Sequence, residues 1–422
     1  MESQKWSALQ KNLFRFFFLF LALSSLVGYN MIVMIFSVSD SNPDIALGFL
    51  AKPVAWLDHH LFNVGFDAAK HSTFYGDGYF GWATLTILLL VAIIGSIVWA
   101  LTDRKRPNYN KLNYWFRTYL AYYLFLGLII YAVEKIIPVQ MPYPNVDEMI
   151  KPLGESGGFR LVWNFIGSRP AYSIFTGCCE LIAALLVLFR RTRVFGTLFM
   201  ATVLTNVVCF NFFYNVPVKL LSSTLLLADL FLLAPYLSKL ISFFYYHRPV
   251  SITEKQYRFK LARNNNLMIA LLIFPAWVTI RETVRVWHLY TAEVATQKEQ
   301  RLYDVTVFIK GNDTLPPLLT DTVRWHRFAL TDYRGHHFGV IYNMKDISDW
   351  YAPKIDSIKK MITLTDSPDT NHKFIFHYTE MPKGQLALRG DIKGKPVKMI
   401  LTRVNTDSLL LNKEKIKWVQ DY

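Results

Sequence analysis

A chain of 422 residues that is 52% hydrophobic and 16% aromatic, with apolar runs of roughly fifteen to twenty-five residues recurring from Leu13 to about Trp287, is not an ordinary soluble globular protein. It reads as a multi-span membrane protein with a polar tail. The net charge of +15 sits largely in short loops between apolar runs, where membrane orientation accounts for it, so nucleic-acid binding is set aside.

In chain order, the hydropathy pattern predicts seven membrane helices, at about 13–37, 81–102, 114–134, 171–189, 194–213, 220–244 and 266–287. The first follows Lys5, Lys11 and Arg15 in the manner of a signal peptide, but its apolar run reaches Val38 without a small-residue cleavage site, so an uncleaved span is expected. The seventh is the weakest, because Arg281 and Arg285 cut its apolar run short. With the N-terminus in the cytoplasm, the inner segments 1–15, 103–117, 190–193 and 239–263 hold three, five, three and six Lys or Arg, seventeen in all, against seven in the opposite loops. That bias orients a multi-pass protein of a bacterial inner membrane with its N-terminus inside, and seven crossings put everything after about residue 300 in the periplasm or exterior. Without the seventh crossing the tail is cytoplasmic. Four regions result: two N-terminal helices and an outer loop (1–112), a four-helix membrane core (113–245), an inner loop with the last helix (246–300), and a soluble all-β domain (301–422).

From Arg301 onward the pattern changes to short runs such as "RLYDVTVFIKG", "HHFGVIYNMK" and "PVKMILTRV", divided by "KGND", "SPDTN" and "IKGKP". Leu386, Leu388 and Ile392 alternate onto one face, as do Val397, Met399 and Leu401. About eight short strands predict an antiparallel meander closed as a small barrel or a sandwich. In "NDTLPPLLTDTVRW", Pro316 and Pro317 impose an extended loop before the strand bearing Trp325.

The chemistry-bearing residues are few. Cys178, Cys179 and Cys209 lie in apolar segments with no CxxC, so neither a disulfide framework nor a thiol redox motif is expected. No histidine lies well inside a span to ligate haem, and the tail pairs His336/His337 and His372/His377 diverge, so no haem and no structural metal are expected. Glu180 is the notable group: it falls about halfway along the fourth span, where a carboxylate is costly unless paired or hydrated. It serves either as a bonded structural carboxyl or as the lining of a polar pocket with Asn206 and Asn211 of the next helix, which the short "RRTR" turn packs against it. Asn206 and Asn211 are five residues apart and point roughly 140° apart, so only one can meet Glu180; Asn206, nearer in depth, is favoured. Lys135, Gln140, Tyr214 and Lys219 mark the outer ends of the helices, as interfacial anchors or converging with Glu180, and Phe210, Phe212 and Phe213 are candidate pocket walls.

At "AVEKIIPVQMPYP", "GESGGFRLVWNFIGSRPAYSIFTGCCELIAALLVLFRRTRVFGTL" and "TNVVCFNFFYNVPVKLLSSTLLLADLFLLAP" the chain resembles the DoxX-like family of bacterial integral membrane proteins, over about 113–240. The resemblance rests on the Lys before Pro-Val-Gln, the Phe175, Gly177 and Glu180 pattern, the Arg190–Arg191 turn and "VPVK"; long-form relatives also carry a tail opening like Thr314 to Trp325. It implies a four-helix membrane bundle in a family named for a subunit of a thiosulfate:quinone oxidoreductase. Relatives often read Asp at Asn215 and His at Thr224, so two titratable sites are missing here. The leading expectation is an accessory or structural membrane protein of unassigned reaction whose bundle binds a quinone or lipid. Glu180, Asn206, Asn211 and Lys219 would supply the polar end, and the barrel would dock a ligand or an envelope protein. The alternatives are a membrane subunit of a quinone-linked oxidoreductase, which would need a redox partner, and a proton- or ion-coupled transporter, for which a single membrane carboxylate is thin.

Overall fold

The computed structural model describes residues 5–28, 50–65, 77–251, 265–297, 300–333, 336–366, 373–392 and 394–413. It divides into two compact units: Met1–Gln140 with Ala171–Arg285, and Met141–Pro170 with Val286–Tyr422.

The first unit is helical. Its elements are α1 (Ala8–Leu23), α2 (Ala51–Leu57), α3 (Tyr79–Thr102) and α4 (Asn110–Ile136). Helices α5 (Val146–Met149) and α6 (Gly158–Gly167) belong to the second unit, and α7 (Pro170–Leu188), α8 (Arg193–Phe213), α9 (Lys219–Leu233) and α10 (Leu237–Phe244) return to the first. Among the described residues six segments are long and apolar enough to cross a membrane: Ala8–Val27, Tyr79–Thr102, Asn110–Ile136, Pro170–Leu188, Arg193–Phe213 and Lys219–Phe244. This is a membrane protein. The part of the first predicted span beyond residue 28 lies outside the described residues. The region predicted as the seventh span is a continuous helix, α11 (Asn265–Gln297), yet it is not among the six. Arg281, Glu282 and Arg285 interrupt its apolar stretch.

Local chemistry explains the helix boundaries. Ser7 and Gln10 form a reciprocal capping box at the start of α1. Between α9 and α10 the chain tightens into a 3₁₀ turn, Ala234–Tyr236, because Pro235 has no N–H to continue the helical ladder. At the "RRTR" turn, Thr192 Oγ1 donates to the Leu186 carbonyl (2.8 Å) and Arg193 Nε to that of Val187 (3.1 Å), satisfying carbonyls that the end of α7 leaves free. Gly196 allows α8 to follow closely, since a Cβ there would stand 2.6 Å from the Leu186 backbone. Helix α4 is the most enclosed of the six, with Leu120, Leu124 and Ile129 fully buried.

The second unit is built on a closed antiparallel barrel of eight strands. These are β1 (Arg301–Lys310), β3 (Trp325–Tyr333), β4 (His336–Asn343), β5 (Ser348–Asp356), β6 (Met361–Asp366), β7 (Lys373–Met381), β8 (Gln385–Ile392) and β9 (Lys395–Arg403), with the two-residue β2 (Asp313–Thr314) beside β1. The meander closes by pairing β9 with β1, which removes the free edges a sandwich would keep. Of the two predicted alternatives, the barrel is therefore the one formed. Phe308, Phe328, Phe376, Leu388, Met399 and Leu401 alternate inward and fill its interior. The "NDTLPPLLTDTVRW" segment closes one end: Leu315 packs on the interior cluster and Arg324 donates from Nη2 to the Val305 carbonyl (3.0 Å). Asp321 shapes this loop by accepting the backbone N–H groups of Val323 (2.7 Å) and Arg324 (2.8 Å).

Segment 141–170, grouped with the bundle in the sequence reading, belongs to the barrel unit. Val146 and Ile150 cover an apolar patch of Leu302, Ala329, Val340 and Tyr342 on the barrel's outer face. Asp147 accepts from Thr331 Oγ1 (2.8 Å), and Asn145 donates to the Asp332 carbonyl (2.7 Å). A patch that sequence alternation alone leaves on the outside is thus buried by a distant segment.

Candidate functional site

One set of the bundle's polar groups gathers around the last turn of α4. Gly177 brings α7 against it: a Cβ at that position would stand 2.8 Å from the Ala132 carbonyl oxygen and 2.9 Å from both Ile136 N and Lys135 Cβ, so only hydrogen fits. One turn further along α7, Glu180 meets Lys135, with Nζ 2.5 Å from Oε1 and both residues buried. Ser173 Oγ donates to the Lys135 carbonyl (3.1 Å), and the ammonium also lies 5.9 Å from the centre of the Tyr131 ring. Glu180 Oε2, although buried, has no hydrogen-bond partner among the described residues. The arrangement is a desolvated ion pair with one acceptor site unused.

Glu134, the preceding residue of α4, receives Arg285 Nη2 at 2.7 Å. Arg285 also grips Glu282 one turn earlier on α11, through Nε at 3.0 and 3.1 Å and through Nη2. The charges that weakened the seventh predicted span are therefore paired with each other and with α4. Adjacent residues Glu134 and Lys135 tie α4 to α11 and α7 respectively.

The α8–α9 turn forms a separate cluster. Asp77 accepts the backbone N–H groups of Lys219 (2.7 Å) and Leu220 (3.0 Å), capping α9. Lys219 Nζ reaches Asp77 Oδ2 (3.4 Å) and Asn215 Oδ1 (2.9 Å). Asn215 takes a left-handed backbone with φ 55°, which Asn tolerates. Asn211 is buried and donates to Ser222 Oγ (2.8 Å).

Of the residues singled out from the sequence, the structure thus joins Lys135 to Glu180, but not Asn206, Asn211 or Lys219. The preference for Asn206 as the partner of Glu180 is overturned. Gly196, Met200, Leu204 and Asn211 form the buried stripe of α8, and Asn206 falls off it onto an exposed face. Phe212 and Phe213 are exposed as well, so they do not wall an internal pocket; Tyr214 is exposed and packs on Phe210 at 5.9 Å. Gln140 lies just past α4, its backbone N–H bonded to the Glu134 carbonyl (3.1 Å). The three cysteines are free, and no cluster of His, Cys, Asp or Glu suited to a metal occurs among the described residues.

Sequence reasoning missed Asp229. It stands fully buried on α9, and neither carboxyl oxygen has a hydrogen-bond partner among the described residues. The signal was present in "LLLADLFLL", an acidic residue within an apolar run, the same pattern that identified Glu180.

No family model and no solved structure matches the chain. It is 30% identical over 118 residues, 28% of this chain and 72% of the other, to the uncharacterized protein YwoB of Bacillus subtilis (strain 168).

Proposed function

The chain belongs to the family of the uncharacterized protein YwoB, and we propose that it is an accessory protein of the bacterial inner membrane that holds a quinone or lipid in a DoxX-like helix bundle. The observation that carries this reading is the unused oxygen of Glu180, buried beside Lys135. A bound hydroxyl would donate to Oε2, while a quinone or ester carbonyl would accept from the Lys135 ammonium; together they satisfy polar groups that water reaches poorly. The N-terminus is cytoplasmic, in keeping with the excess of Lys and Arg in the inner segments. The barrel lies outside. In support, segment 141–170, which follows α4, packs on the barrel within one unit; this reading requires α11 to supply a seventh crossing.

Gentle purification followed by extraction and mass spectrometry of bound lipids tests the reading. A specific quinone or lipid is expected in the unaltered protein and its loss in Glu180→Gln and Glu180→Leu variants that remain folded. An empty bundle, or ligand content unchanged in both variants, refutes it.

Asp229 favours a second reading, proton-coupled transport, because it supplies the second intramembrane carboxyl that the sequence reading lacked. Proteoliposomes containing a pH-sensitive dye decide: proton flux abolished by Asp229→Asn supports transport, and flux equal to empty vesicles ends it.

A further inference from the structure

The barrel is a cup. Its far end is closed by Leu315 and Arg324, while the end where β1 begins opens into a cavity of about 820 Å³. That size lies within the range of about 300–1,000 Å³ typical of small-molecule sites. Strand register shows what faces inward there, because residues directly opposite across a ladder share a face. Tyr303 belongs to the filled interior and is opposite Arg403, so Arg403 points inward, as does Arg301 two residues before Tyr303. Leu386 and Ile362 are likewise interior, which turns their partners Glu380 and Ile355 inward. The floor of the cavity is apolar and its upper ring charged.

The charges differ in their partners. Asp332 at the rim is engaged by His337 Nδ1 at 3.1 Å. The side chains of Arg301 and Arg403 have no hydrogen-bond or ion-pair partner among the described residues. They stand on neighbouring strands, diagonal to one another and so roughly 8 Å apart or closer at Cβ. Glu380 lies two strands from Arg403 and steers an anion toward the arginine side. Planar guanidinium groups over an apolar floor match a carboxylate or phosphate that carries a hydrocarbon chain.

We propose that the open end of the barrel binds an amphiphile with an anionic head and an apolar chain, the head held by Arg301 and Arg403 and the chain lying on Tyr303, Ile362, Tyr378 and Leu386. An inorganic anion would leave the floor unfilled, and a neutral chain would leave the arginines unmet. The site is independent of the Lys135–Glu180 pair.

The test uses the full chain in lipid nanodiscs with a diazirine-bearing fatty acid, mapping the crosslinks by peptide mass spectrometry. Crosslinks are expected on β1 and β6–β8, displaced by dodecanoate but not by dodecanol or acetate. In Arg301→Gln/Arg403→Gln they fall about tenfold or more, because each charge-assisted hydrogen bond contributes roughly one power of ten or more. In Glu180→Gln they are unchanged. Absence of crosslinks from the barrel overturns the proposal, as does dodecanol competing equally with dodecanoate. Displacement by acetate alone would reduce the site to one for simple anions and also overturn it. Full labelling of a double variant with an unchanged unfolding curve does so too, and if that variant misfolds, the competition series on the unaltered protein decides.

Discussion

Replacing Glu180 with Leu leaves the Lys135 ammonium without its anion in a place where only 9% of the lysine side chain and 6% of the glutamate side chain are exposed. With so little water to screen or rehydrate the charge, breaking the pair from one side costs about 3–5 kcal/mol, roughly two to four powers of ten in the folding equilibrium. Lys135→Met carries a cost of the same order, since Glu180 would then have neither oxygen bonded. The double variant Lys135→Met/Glu180→Leu behaves differently: both desolvation penalties vanish, and the outcome lies between neutral and about 1–4 kcal/mol more stable. The two single costs therefore fail to add by several kcal/mol, well beyond the roughly 0.5 kcal/mol scatter of independent sites. Reversible unfolding in detergent micelles of the unaltered chain, both single variants and the double variant measures this coupling. A cost below about 1 kcal/mol for Glu180→Leu, or additivity of the two substitutions, would refute the picture of a desolvated pair.

Gly177→Ala places a methyl group 2.8 Å from the Ala132 carbonyl; overpacking predicts a loss of about 1–3 kcal/mol in the same unfolding assay, and a stability equal to the unaltered chain would show that α4 and α7 do not approach this closely. Asp229→Val removes a buried carboxyl with no bonded oxygen and is expected to stabilise by about 1–3 kcal/mol; a comparable loss would reveal a partner that the geometry does not show. In the barrel unit, burial pushes the Asp147 carboxyl above the usual carboxylate range. Its proton is thus held better in the folded chain, so this contribution to stability is complete below the unfolded pKa and declines as pH rises through the folded one. Hydrogen exchange at β3 and α5 should therefore quicken as pH rises through that window, after correction for intrinsic rates, and Asp147→Asn should flatten the trend; an unchanged trend in the variant would assign it to another group.

Much of the architecture follows from the sequence alone because hydrocarbon and water impose one-dimensional patterns. Apolar runs long enough to cross a bilayer marked six helices, and period-two alternation with turn residues marked the strands around Leu388 and Met399. The cost of charge in an apolar run singled out Glu180 by the same logic, and would have singled out Asp229. Pairing was another matter. Which residue meets Glu180 depends on the rotation of α8, fixed by Gly196, Met200 and Leu204, and on the close approach that Gly177 permits to α4; neither can be read along a single helix. The charges of α11 looked like defects in a span until Glu134 came within reach of Arg285. Segment 141–170 carried no signal that it would cover the outer face of a barrel well over a hundred residues away. Side-chain periodicity reports which face of an element avoids water, whereas the partner of a buried polar group is set by how separate elements pack, and only the tertiary structure decides that.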